Sequence, residues 1–168
     1  LFQFNERKFT TDSVTRIVHA PSSPIIKGTQ LVRAAIGRLR DEGYKFNYVE
    51  LIGVSNKVVL AELRIAHIVL NEFFALVPGV FGVEAMASHC ALLTSADENR
   101  EPDLPRGSNK AWFVTRNYQI YDNLKLLLDN PALIRSYADS GFEWACRNAA
   151  ISSTGKTLQE ILGKIRQG

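Results

Sequence analysis

Lys27, the Gly79–Gly82 stretch and Glu84 have residue types and settings that point to anion and hydroxyl chemistry. Lys27 follows Ile25 and Ile26 and precedes Gly28 at the entry of an expected helix. The positive end of a helix dipole disfavours a cation there unless an anion lies beside it. A charge-assisted lysine–phosphate contact contributes about 1.5 to 3 kcal/mol, whereas a solvated surface lysine contributes almost nothing. Further along, Pro78 leads into Gly79, Val80 and Phe81. Amides at a helix start lack intrahelical acceptors and, with the dipole, favour a phosphate, while Gly79 and Gly82 leave room beside the backbone. Glu84 stands in the same helix among Val83, Ala85, Met86 and Ala87. An ionised carboxylate there needs a partner or an open pocket, and a sugar vicinal diol donating two hydroxyls is one such partner. Each group also has a plain structural reading: a solvated lysine, glycines serving turn geometry, and a carboxylate favoured near a helix start by about 0.3 to 1 kcal/mol.

Other chemistry-bearing residues are weaker candidates. His19, at a strand end, is a candidate pocket residue, together with Ser22 and Ser23 in the loop that follows. His19, His67 and His89 share no ligand spacing with one another or with Cys90 and Cys146, so no metal site is expected. Ser153–Thr157 resembles the end of a phosphate-binding P-loop, but Ala150 stands where that motif needs its first glycine, and no strand precedes it. Glu50 and Glu72 read as scattered, solvated carboxylates that only the tertiary fold could pair. Trp112, Phe113 and Trp144 read as core.

The elements that must position these groups follow from periodicity. Val14–Ala20, Phe46–Ile52, Ile68–Leu70, Ala91–Ser95 and Trp112–Val114 are apolar runs with strand character. Between them, Leu31, Val32, Ala35, Ile36 and Leu39 recur at helical spacing up to a stop at Gly43, and Lys57–Ala66 predicts a helix with Ser55 as N-cap. A loop to Pro78 precedes a helix over 79–88, and Asp97–Asn109 predicts an exposed loop. Beyond Ile120 the chain reads as helical, with Asn130–Pro131 as a cap and first residue, Gly141 as a weak point, and Leu158, Ile161, Leu162 and Ile165 marking a terminal helix. Alternation of short strands with helices predicts an α/β fold: a Rossmann-like parallel sheet of about five to six strands flanked by helices. Ligands of such sheets sit beyond the carboxyl ends of the strands, where strand order reverses.

The chain has 168 residues, 46% hydrophobic and 22% charged, which fits one globular domain, with residues 1–13 as a lead-in. Its net charge of +3 falls short of the concentrated field of a dedicated nucleic-acid binder, and no apolar run is long enough to span a bilayer. Two separated cysteines favour a reducing, cytoplasmic setting, and a start at Leu is what a segment cut from a longer protein has.

Taken together, Ile17-Val18-His19-Ala20-Pro21-Ser22 through Lys27-Gly28-Thr29, then Val69-Leu70-Asn71, then Gly79-Val80-Phe81-Gly82-Val83-Glu84-Ala85-Met86-Ala87 resemble the C-terminal domain of retaining glycosyltransferases of family four. The resemblance runs from about Thr15 to the last helix and implies the donor-binding half of a GT-B enzyme. It further implies that a nucleotide sugar such as a UDP- or GDP-sugar is the donor, that no metal or other cofactor is required, and that an N-terminal domain binds the acceptor. The parent would be cytoplasmic or peripherally membrane-associated. By position, Lys27 and the Gly79, Val80 and Phe81 amides would hold the diphosphate, and Glu84 the ribose. Two departures stand out: Leu76 replaces the family's glutamate eight residues before Glu84, and the first loop lacks the arginine that commonly precedes the lysine. A non-catalytic Rossmann-like interaction module, docking partners over Phe73, Phe74 and Val77, is the alternative. A dinucleotide oxidoreductase is disfavoured because no GxGxxG follows the first strand.

Overall fold

A computed structural model describes residues 2–10 and 13–149; Ser153–Thr157 and the expected terminal helix lie outside them. The described chain runs β1 (Arg16–His19), α1 (Thr29–Asp41), β2 (Asn47–Glu50), α2 (Asn56–Leu63), β3 (Ile68–Leu70), α3 (Gly79–Ala87), β4 (Ala91–Thr94), β5 (Phe113–Val114), α4 (Ile120–Asp129) and α5 (Pro131–Asn148). Five strands form one sheet in the order β2-β1-β3-β4-β5, with every neighbouring pair parallel. The fold is therefore the Rossmann-like α/β class predicted from the alternation. β1 and β2 are shorter than the apolar runs that announce them, because the ladder between them holds register only from Arg16↔Asn47 to His19↔Glu50. No helix among the described residues is long and apolar enough to cross a membrane.

The three central strands are covered on both faces, as parallel sheets demand. Ile17, Ile68, Leu70, Ala91 and Leu93 pack on one side with Val32, Ile36 and Leu39 of α1 and Leu124 and Leu127 of α4. Val18, Val69 and Leu92 pack on the other with Leu63, Met86, Trp112 and Trp144. Both tryptophans are buried there, with rings 5.2 Å apart, and their Nε1–H groups donate to Ala96 O and Ser108 Oγ. Gly141 is more than a weak point in α5. A Cβ at that position would stand 2.9 Å from Ala111 O and 3.0 Å from Met86 Cγ, so its absence lets α5 close on the sheet. Ser55 occupies the N-cap position of α2 without a capping side-chain bond. The predicted 97–109 loop is cross-tied by Asn109, whose Nδ2 donates to Asp97 Oδ1 at 2.8 Å and whose Oδ1 accepts from Glu98 N–H.

Residues 2–10, ahead of β1, are packed against the domain. They lie along the amino ends of the strands, where Gln3 N–H donates to Ala87 O at 2.8 Å and the buried Lys8 Nζ donates to Ser88 O at 3.0 Å. Both contacts satisfy carbonyls at the foot of α3, and the lysine places a cation at the negative end of its dipole. Two histidines complete the seat. His67 Nδ1 accepts from Arg16 N–H while its Nε2 faces Lys8 O at 2.5 Å, and His89 Nδ1 accepts from Asn5 N–H with Phe4 stacked on its ring at 4.1 Å.

Candidate functional site

After β1 the chain crosses to β2 on one side of the sheet and later returns to β3 on the other, so strand order reverses between β1 and β3. The loops leaving these two strands meet above that point, where Phe74 N–H donates to Ile26 O at 3.2 Å. The first loop is wound by bonds from Lys27 N–H to Ser23 O, Gly28 N–H to Ile25 O and Thr29 N–H to Pro24 O. This winding turns the Lys27 side chain inward, leaving the residue 4% exposed.

Lys27 Nζ donates to Asn71 Oδ1 at 3.1 Å, lies 3.2 Å from Glu72 Oε1, and sits 4.9 Å from the centre of the Phe81 ring. Asn71 is fully buried, and its Nδ2 donates to Pro78 O at 2.7 Å, so one amide links the lysine to the residue that opens α3. The first amides of α3, which lack intrahelical acceptors, lie next to this junction. Gly79 has φ +59°, which a residue with a Cβ adopts only with strain, and a Cβ there would stand 3.5 Å from Glu72 Oε1. The Glu72 carboxylate thus stands beside Gly79 at the start of α3 while paired to Lys27.

A cleft of about 380 Å³ opens over this group, lined by Ser22, Lys27, Glu72, Val80, Phe81 and Glu84 among others. Glu84 faces it from the second turn of α3, and Asn56 Nδ2, at the start of α2, donates to its Oε1 at 3.4 Å. Of the residues singled out from sequence, Ser22, Lys27, Val80, Phe81 and Glu84 are brought together here. Gly79 faces an adjoining apolar hollow of about 570 Å³ that Val83 and Trp144 also line. Ser23 contributes its carbonyl to the loop's winding and is absent from the cleft wall.

Several expectations need correction. His19 is no pocket residue: it is fully buried, its Nδ1 bonded to Leu70 O at 2.8 Å and its Nε2 to Thr29 Oγ1 at 3.0 Å. Burial holds its pKa below the usual histidine value, favouring the neutral ring. Gly82 makes room for the protein itself rather than for a ligand. A Cβ there would lie 2.8 Å from both Asn71 Nδ2 and Pro78 Cβ. Phe73 is buried in the core at 3% exposure, whereas Phe74 and Val77 are exposed, so the apolar surface expected over the three residues lacks the first. Glu50 is held by Arg33 and Tyr48 and lies outside the cleft. Asn71 and Glu72 are the site residues that sequence reasoning missed. The available signal was their position, immediately after β3 at the carboxyl edge of the sheet.

A parallel α/β domain with a charged cleft at its topological switch point belongs to the broad class of Rossmann-like folds. Among solved structures, the C-terminal domain of a group 1 family glycosyl transferase from Francisella tularensis superposes with a TM-score of 0.55 at 17% identity, covering 83% of this chain and 87% of that one. At that identity the likeness is one of fold. No protein-family model and no curated protein matches the sequence.

Proposed function

We propose that this chain is the donor-binding domain of a glycosyltransferase and that its cleft holds the diphosphate and ribose of a nucleotide sugar. The observation that carries this reading is the convergence of a buried Lys27, the first turn of α3 and Glu84 on one cleft at the strand-order reversal. The fold shared with the group 1 glycosyl transferase domain supports it. In this reading Lys27 and the α3 amides stabilise the negative charge that grows on the departing diphosphate as the glycosidic bond breaks. Glu84 accepts from the ribose hydroxyls, and Phe81 walls the cleft beside Lys27. The acceptor, and transfer with retention of configuration, belong to a second domain and a complete cleft. No residue described here is assigned as nucleophile or general base.

Titration calorimetry with UDP and GDP tests the reading. Lys27→Met is expected to weaken diphosphate binding on the order of 10- to 100-fold, from loss of one charge-assisted contact. Glu84→Ala is expected to weaken the nucleotides while leaving pyrophosphate unaffected. Absence of heat with either nucleotide at millimolar concentration, on folded protein, sinks the assignment. A second reading, an interaction module without chemistry, draws on the apolar rim beside the cleft, where Ile25, Phe74 and Val80 are exposed. It gains if calorimetry is silent while Phe74→Glu changes the protein's sedimentation.

A further inference from the structure

We propose that Glu72 acts as a built-in occupant of the anion seat, competing with the ligand's phosphate for Lys27 and the mouth of α3, and so sets the affinity and charge selectivity of the cleft. This rests on the donor-site reading above, and deepens it. An ammonium has three protons to donate. Lys27 Nζ donates to Asn71 Oδ1, is paired with Glu72 Oε1 at 3.2 Å and packs over the Phe81 ring. The same Glu72 carboxylate stands at the first turn of α3, the one end of that helix where a negative group is favoured. An entering phosphate needs both positions.

The charge on the cleft wall sharpens the point. Lys27 brings one positive charge, while Glu72 and Glu84 each bring a negative one, and all three line the same space. A diphosphate entering without displacing Glu72 meets a wall on which Lys27 is already paired. A displaced Glu72 frees the cation and clears the space beside Gly79 at the start of α3. The geometry allows displacement by side-chain rotation alone. The Glu72 carbonyl is pinned by Ser95 N–H at 2.8 Å and Thr94 Oγ1 at 3.2 Å, so the backbone stays fixed. The side chain keeps 19% exposure toward the opening, which gives the carboxylate a path to solvent. Asn71, by contrast, is buried and bonded at both ends, and keeps Lys27 in place whether Glu72 is in or out. The device favours ligands with enough negative charge to evict a carboxylate, a diphosphate over a monophosphate or a neutral sugar.

The test is calorimetry with pyrophosphate, UDP, GDP and UMP on the wild-type chain, Glu72→Gln, Glu72→Asp and the double variant Glu72→Gln/Lys27→Met. Glu72→Gln is expected to bind pyrophosphate and the nucleoside diphosphates on the order of tenfold tighter than wild type, and to narrow the preference for UDP over UMP. Glu72→Asp, too short to reach the lysine, is expected to move the same way and serves if the glutamine variant misfolds. The gain is expected to vanish in the double variant. Tighter pyrophosphate binding with no added affinity for either nucleotide would leave the competitor role standing and defeat the nucleotide-sugar reading. Unchanged or weaker pyrophosphate binding by both folded Glu72 variants, no measurable binding in any variant, or a gain that survives loss of Lys27, overturns the proposal.

Discussion

At the scale of single residues, the buried polar groups divide into those that hold the cleft and those that hold the fold. Asn71 belongs to both, since its amide spans from Lys27 to Pro78 O. His19 and His67 belong to the fold, and burial depresses the pKa of each from the ordinary 6.5. As pH falls through 6.5 the unfolded chain takes up protons that these folded rings refuse, so their contribution to stability is full above 6.5 and lost as pH drops through the folded-state values. Urea unfolding followed at about pH 7.5 and about pH 5.5 is expected to show a lower midpoint at the acidic value, with the difference reduced in His19→Gln. An unmoved wild-type midpoint counts against buried neutral rings. Lys27 was readable in the sequence because a cation at a helix entry is locally anomalous. Glu72 was not, because its significance arises only when a loop forty-five residues from Lys27 closes against it.

At the scale of elements, glycine positions separate packing from propensity. Gly37 lies inside α1 with nothing within 4 Å of an added Cβ, while Gly141 lies inside α5 against Ala111 O and Met86. Gly37→Ala is expected to stabilise the protein by about 0.5 to 1 kcal/mol, the helix-interior cost of glycine. Gly141→Ala gains the same propensity but is expected to destabilise by about 1 to 3 kcal/mol through overpacking. Paired thermal melts of the two variants check this, and shifts of the same sign contradict it. The strands were legible because buried parallel strands are continuous apolar runs: Ile68–Leu70 is found within its expected bounds. The ends of β1 and β2 were not, since pairing rather than composition decides where a ladder stops. The role of Gly141 was equally hidden, because periodicity along one helix carries no information about the carbonyl it meets.

At the scale of the whole molecule, two apolar layers share one sheet, so neither has an independent support. Trp112 and Trp144 report on only one of those layers. Tryptophan fluorescence and far-ultraviolet circular dichroism are nevertheless expected to trace one coincident urea transition, as cooperative single domains do. Two separated midpoints contradict a shared core. The amino-terminal residues form part of this unit, with Gln3 and Lys8 fastened to the foot of α3. That attachment lies at the pole of the molecule opposite the opening beside Val80 and Glu84. A label or tether joined to the segment that precedes β1 therefore sits at the amino edge of the strands, clear of whatever enters between Val80 and Glu84.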